Sequence, residues 1–179
     1  MPSSQTIDVW EALAGDAERE SPLWAEALRP VAERELEPVF SPLGELRFAL
    51  GVETIYEGYL AHYGRPRLFA PSDADTALLL GDYLYAHGLV RIAEVGLVEA
   101  IGDLAELISL CAQLRGDRRP GDGAAWAATA SLLGQGALDE ARAALRDHGD
   151  PDPLAALARA ATGPEALAQA LTAHRRRLG

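Results

Sequence analysis

With 179 residues, 49% of them hydrophobic and 24% charged, the chain is long enough for one substantial core and is globular in composition. A formal net charge of −11 argues against a nucleic-acid partner, because phosphate neutralisation needs a basic surface. Cys111 is the only cysteine, which excludes an intrachain disulfide and fits a reducing compartment. No stretch has the length of a transmembrane helix, and the N-terminus lacks a basic-then-apolar signal pattern, so the expected location is the cytoplasm. Ala, Leu, Glu and Arg dominate while β-branched and aromatic residues are sparse, and the chain has no Lys and no Asn.

In chain order, periodicity predicts a first helix over 7–19 with Val9, Trp10 and Leu13 on one face. Ser21-Pro22 starts a second helix with proline at the first helical position, and Pro30 should bend or divide that helix. A third helix is expected from Pro42 to about His62, ended by the proline-flanked loop 64–71. Ser72 and Asp75 have capping-box spacing at the start of the most apolar helix, 76–95. Gly96 separates it from another apolar helix over 97–114. These two helices are apolar around much of their circumference, which places them in a core or at a subunit interface. The Arg, Asp, Gly and Pro-rich stretch 115–123 marks the clearest internal boundary. Short Ala-rich helices are expected beyond it, over 124–133, 137–147, 153–161 and 164–177. The fold class is therefore all-α. One domain is expected, with N-terminal helices (1–41), core helices (42–115) and a C-terminal Ala-rich part (123–179).

Few patterns carry chemistry. Asp73 and Asp75 fit helix-start capping, and Asp150 and Asp152, set among Gly149, Pro151 and Pro153, fit a turn. The four histidines, His62, His87, His148 and His174, lack metal-ligand spacing, so no metal site is predicted. Neither a nucleophile-elbow pattern nor a phosphate loop occurs, and no cofactor is implied. Arg175-Arg176-Arg177 reads as a helix C-terminus complementing the macrodipole, in preference to a membrane or phosphate contact. Gly136, Ala141 and Pro153 have tetratricopeptide-like spacing, but a single such unit cannot stand as a solenoid. Asp82, in a strongly apolar helix, is expected to make a hydrogen bond or ion pair across helices. Tyr56, Tyr59 and Tyr63 recur at i, i+3 and i+7, which marks a packed face or a groove lining.

The run Leu78-Leu79-Leu80-Gly81-Asp82-Tyr83-Leu84-Tyr85-Ala86 resembles the "LLGDYLLA" helix of the trans-type polyprenyl diphosphate synthases. Gly64-Arg65-Pro66 is similar to the Gly-x-Pro preceding that helix, and Val52-Glu53-Thr54-Ile55-Tyr56 with Tyr59-Leu60-Ala61-His62 follows the family's upstream helix. Ile92 to Gly96 and Ala100 to Ala105 continue the pattern. The resemblance covers about a third of the chain and implies a helical bundle like a shortened isoprenoid synthase.

The departures bear on activity. The family holds magnesium diphosphates on two Asp-Asp-x-x-Asp motifs, whose spacing puts the carboxylates on one helix face. Neither motif occurs here, His62-Tyr63 stands where the family has Arg-Arg, and the diphosphate-holding lysines are absent. The resemblance thus implies a non-catalytic small or regulatory subunit of a heteromeric prenyltransferase in isoprenoid, quinone side-chain, biosynthesis. The alternative is a helical interaction or scaffold protein that kept the fold without the chemistry. The partner would be a catalytic prenyl diphosphate synthase subunit, or a second copy in a dimer. The interface is expected on Leu80, Asp82, Leu84, Leu104 and Leu107. Tyr56, Tyr59 and Tyr63 would line a groove for an isoprenoid chain.

Overall fold

A computed structural model describes residues 8–178. These contain nine α-helices and no strand, so the fold class is all-α; Leu28 and Phe69 form one isolated bridge. The expected first-helix residue Ile7 lies outside the described residues. Helix α1 (Val9–Glu20) starts at Asp8, whose carboxylate accepts the amides of Trp10 and Glu11. Ser21 ends α1 in extended conformation and caps α2 (Pro22–Ala27), with proline in the first turn as the sequence predicts. Pro30 divides the next stretch, leaving only a 3-10 turn at Val31–Glu33.

Helix α3 (Ala49–Tyr63) begins later than the periodicity predicts. Two 3-10 turns, Ser41–Leu43 and Leu46–Phe48, precede it. Gly44 between them is extended and lies so close to the Ala130 carbonyl that a Cβ would come within 2.2 Å. That close approach interrupts the helix. Helix α4 (Ala74–Glu94) is capped by Asp73, which accepts the Thr76 amide at 2.8 Å, and not by Ser72. Gly96, at φ 83°, makes the turn into α5 (Val98–Gly116). The last four helices are α6 (Asp122–Ser131), α7 (Asp139–His148), α8 (Asp152–Thr162) and α9 (Pro164–Leu178).

The centre of the molecule is α3, where every residue from Ala49 to Leu60 except Leu50 is buried. In α6, Gly123 to Ala130 are buried as well. The apolar helices α4 and α5 are more peripheral than their composition suggests: Leu78, Leu79, Val90 and Val98 are 55%, 55%, 54% and 75% exposed. Where the backbone of α4 comes closest to that of α3, it carries glycine. Gly51 and Gly58 of α3 meet Gly88 and Gly81 of antiparallel α4, and the seven-residue spacing is the same on both helices. A Cβ on Gly58 would lie 2.9 Å from the Gly81 carbonyl, and one on Gly88 3.1 Å from the Gly51 carbonyl.

Two cores result. The larger runs through Phe40, Tyr56, Leu104, Trp126 and Leu154, and so crosses the 115–123 stretch without a break. The smaller gathers Leu13, Trp24, Phe69, Leu80 and Leu84, where α1 and α2 cover one side of α4.

Candidate functional site

The tyrosine stripe on α3 packs against three other helices. Tyr56 and Tyr59 are wholly buried, and Tyr63 is half-buried. Phe40 meets Tyr56 edge-on at 5.1 Å, and the Trp126 indole stands across Tyr56 and Tyr59 at 5.0 and 5.5 Å between ring centres. The Tyr56 hydroxyl lies 2.9 Å from Nδ1 of His174 on α9. The Tyr59 hydroxyl donates to Asp122, in the first turn of α6, and accepts from Arg115 Nε at 3.0 Å. Arg115 also pairs with Asp122, and His174 Nε2 stands 3.6 Å from the same carboxylate. Four helices, α3, α5, α6 and α9, thus share one buried polar network.

Burial by itself would raise the Asp122 carboxyl, but the His174 imidazole, the Tyr59 hydroxyl and the Arg115 charge outweigh it and hold the group below the ordinary carboxylate range. Burial pushes both tyrosine hydroxyls above their ordinary range, with the Asp122 charge adding to the effect at Tyr59. Asp122 therefore stays ionised and the tyrosines stay protonated near neutrality. That arrangement clamps helices together, since a proton-transfer site needs groups that titrate near the working pH. A prenyl chain could reach Tyr56 or Tyr59 only by displacing Phe40, Trp126 or His174, so the expected groove is filled core.

The Asp122 network has a signed consequence for acid stability. A carboxyl depressed in the folded state contributes stability above its unfolded pKa and loses it as pH falls through the folded value. Acid denaturation should therefore steepen below about pH 4 in the natural protein. Asp122→Asn should flatten that dependence while lowering stability at pH 7. Thermal unfolding midpoints measured between pH 7 and 2 check this; parallel profiles for the two proteins would refute it.

The five expected interface residues separate. Leu80, Leu84, Leu104 and Leu107 are at most 1% exposed and serve the chain's own cores, because α1 and α2 cover one side of α4 and the C-terminal helices cover α5. Asp82 alone is at the surface, with a carboxylate oxygen 3.3 Å from Nε2 of His62 on α3, a cross-helix contact in which that nitrogen makes no hydrogen bond. Burial lowers the His62 pKa, and the Asp82 charge opposes that shift. The outward side of α4 instead carries Leu78, Leu79, Ala86, Val90 and Ala93, with Asp82 its only charge between residues 78 and 93. On α5, Val98, Gly102, Ala105 and Ala112 are exposed.

The Asp150 carboxylate accepts the Asp152 amide at 3.0 Å, as a turn residue does. Among the described residues, no three His, Cys, Asp or Glu side chains converge as metal ligands, and no helix is long and apolar enough to cross a membrane. Sequence reasoning missed the partners that complete the polar core. Asp122, His174 and Arg115 come from three helices and carry no local signal. Glu53 and Glu57 had one, being carboxylates four residues apart among Val52, Ile55 and Tyr56. Comparison of the chain with known protein families, with curated proteins and with solved structures finds no match.

Proposed function

We propose that this protein is a non-catalytic helical subunit that docks onto a larger protein through the outward side of α4 and the start of α5. The observation that carries this reading is the exposed apolar set Leu78, Leu79, Val90 and Val98, each more than half accessible. Exposed apolar residues gathered on one face are typical of protein interfaces, while single scattered ones are not informative. The polar groups that could do chemistry are, by contrast, committed to holding helices together. The resemblance of residues 52–114 to the trans-type polyprenyl diphosphate synthases nominates a catalytic synthase carrying both aspartate-rich motifs as the partner. The same face supports a second reading, a helical scaffold that pairs with its own copy and has left isoprenoid chemistry.

Affinity capture from the source cells separates the two. Recovery of a synthase, with co-purification reduced at least about tenfold by Leu79→Arg combined with Val90→Arg, supports the subunit reading. Recovery of self-dimers broken by the same pair supports the scaffold. Capture of either partner undiminished by the double variant removes this face from both readings.

A further inference from the structure

Three segments distant in sequence meet at one corner of the molecule. The Arg29 amide donates to the Leu68 carbonyl at 2.8 Å, the Glu35 amide to the Arg67 carbonyl at 3.2 Å, and the Arg65 amide to the Arg177 carbonyl at 2.9 Å. These bonds draw the extended stretch after α2, the loop before α4 and the end of α9 together, and four arginines come with them. Arg34 Nε donates to the Arg29 carbonyl at 3.0 Å, which keeps it in the same corner. Arg177 is 7% exposed and gives one terminal nitrogen to Glu35 at 2.7 Å. Its other terminal nitrogen, Nη1, is buried without a hydrogen-bond partner, and so is Arg29 Nε.

The protein has 27 acidic against 16 basic residues, yet among the described residues no carboxylate lies within 4.0 Å of Arg29, Arg34 or Arg65. Among the described residues, Glu35 is the carboxylate that pairs with an arginine of this corner. The hydrogen bond from Arg177, with the charges of Arg177, Arg65 and Arg29, holds it below its ordinary range. Its side chain is 47% exposed and sits on an extended segment, while the Arg177 guanidinium is fixed by burial.

We propose that this corner is an oxyanion site for a phosphate group, in which Glu35 is an internal occupant that the ligand displaces. Guanidinium forks match phosphate oxygens in geometry and charge, and a dianion offers more acceptors than one carboxylate. It would give the unmet nitrogens of Arg177 and Arg29 a partner once Glu35 swings into solvent. A soluble phosphate and a phosphate headgroup on a membrane surface share this chemistry.

The test is titration calorimetry of the full chain with inorganic phosphate, against chloride at matched ionic strength. It is joined by sedimentation with phosphatidylcholine vesicles containing or lacking phosphatidate. Phosphate should bind in preference to chloride, and Glu35→Gln should tighten binding about tenfold, because the internal competitor is gone. Arg65→Ala, at an exposed position, should weaken binding at least about tenfold while leaving the phosphate-free unfolding midpoint unchanged. Binding confined to phosphatidate vesicles, with the same variant pattern, assigns the site to a headgroup. The proposal is overturned if neither probe binds the natural chain or Glu35→Gln above chloride, or if Arg65→Ala binds as the natural chain does.

Discussion

Arg67→Met is expected to cost the protein a large part of its stability. The Arg67 side chain is wholly buried, and it is bonded to Glu53 at 2.6 Å, to Glu57 at 3.0 Å and to the Glu37 carbonyl at 3.1 Å. Its guanidinium lies 4.6 Å from the Trp10 ring centre and 5.0 Å from that of Tyr56. Glu57 also accepts the amides of Arg67 and Leu68, both at 2.7 Å, which locks the loop before α4 onto α3. Without the cation, two carboxylates remain in the interior. Removing one partner of a buried pair costs about 3–5 kcal/mol, and two abandoned carboxylates put the loss at or above the upper end. A domain of this size has a total stability of about 5–15 kcal/mol, so the loss takes from about a third to all of it. Urea denaturation followed by circular dichroism measures the loss. The triple variant Glu53→Gln, Glu57→Gln, Arg67→Met should recover part of it, because the orphaned charges go with the cation. A single variant within about 1 kcal/mol of the natural protein would mean that the cluster does not hold the fold.

The second large effect is expected at the glycine contact between α3 and α4. A Cβ on Gly88 would stand 2.4 Å from Ile55 Cγ1 and 3.1 Å from the Gly51 carbonyl; one on Gly58 would stand 2.9 Å from the Gly81 carbonyl. Backbone cannot turn aside as a side chain can, so the two helices must separate along their length. Gly88→Val or Gly58→Val should therefore lower stability by about 1–3 kcal/mol or more. Gly102→Ala is the control. Gly102 lies exposed within α5 with nothing within 4 Å of an added Cβ, and the change should raise stability by about 0.5–1 kcal/mol through helix propensity. Thermal or urea unfolding of the three variants checks the contrast. Equal small losses at Gly88, Gly58 and Gly102 would show that the close approach is not required.

Much of the secondary structure was legible because its causes are local. Ser21 before Pro22, the left-handed Gly96 and the Gly149-to-Pro153 break each act within a few residues. The start of α3 was not legible, because Gly44 is constrained by the Ala130 carbonyl from a helix more than eighty residues away. The candidate site was less legible still. Tyr56, Tyr59 and Tyr63 share a face as their spacing requires, but the residues that close over them come from elsewhere. His174 reaches Tyr56 across 118 positions and Asp122 reaches Tyr59 across 63.

The order of burial was decided only by tertiary structure. By composition α3 and α4 are about equally apolar, yet α3 is central and α4 peripheral. The sequence by itself determined an all-α chain, most of its breaks and the Ser21 cap of α2, since these come from backbone preference and short-range hydrogen bonds. Which helix lies at the centre depends on whether a distant group neutralises Glu53 and Glu57, and Arg67 does so from a loop. It depends also on close approach, which glycines permit and leucines prevent. Packing α3 against the glycine side of α4 leaves Leu78, Leu79 and Val90 facing outward.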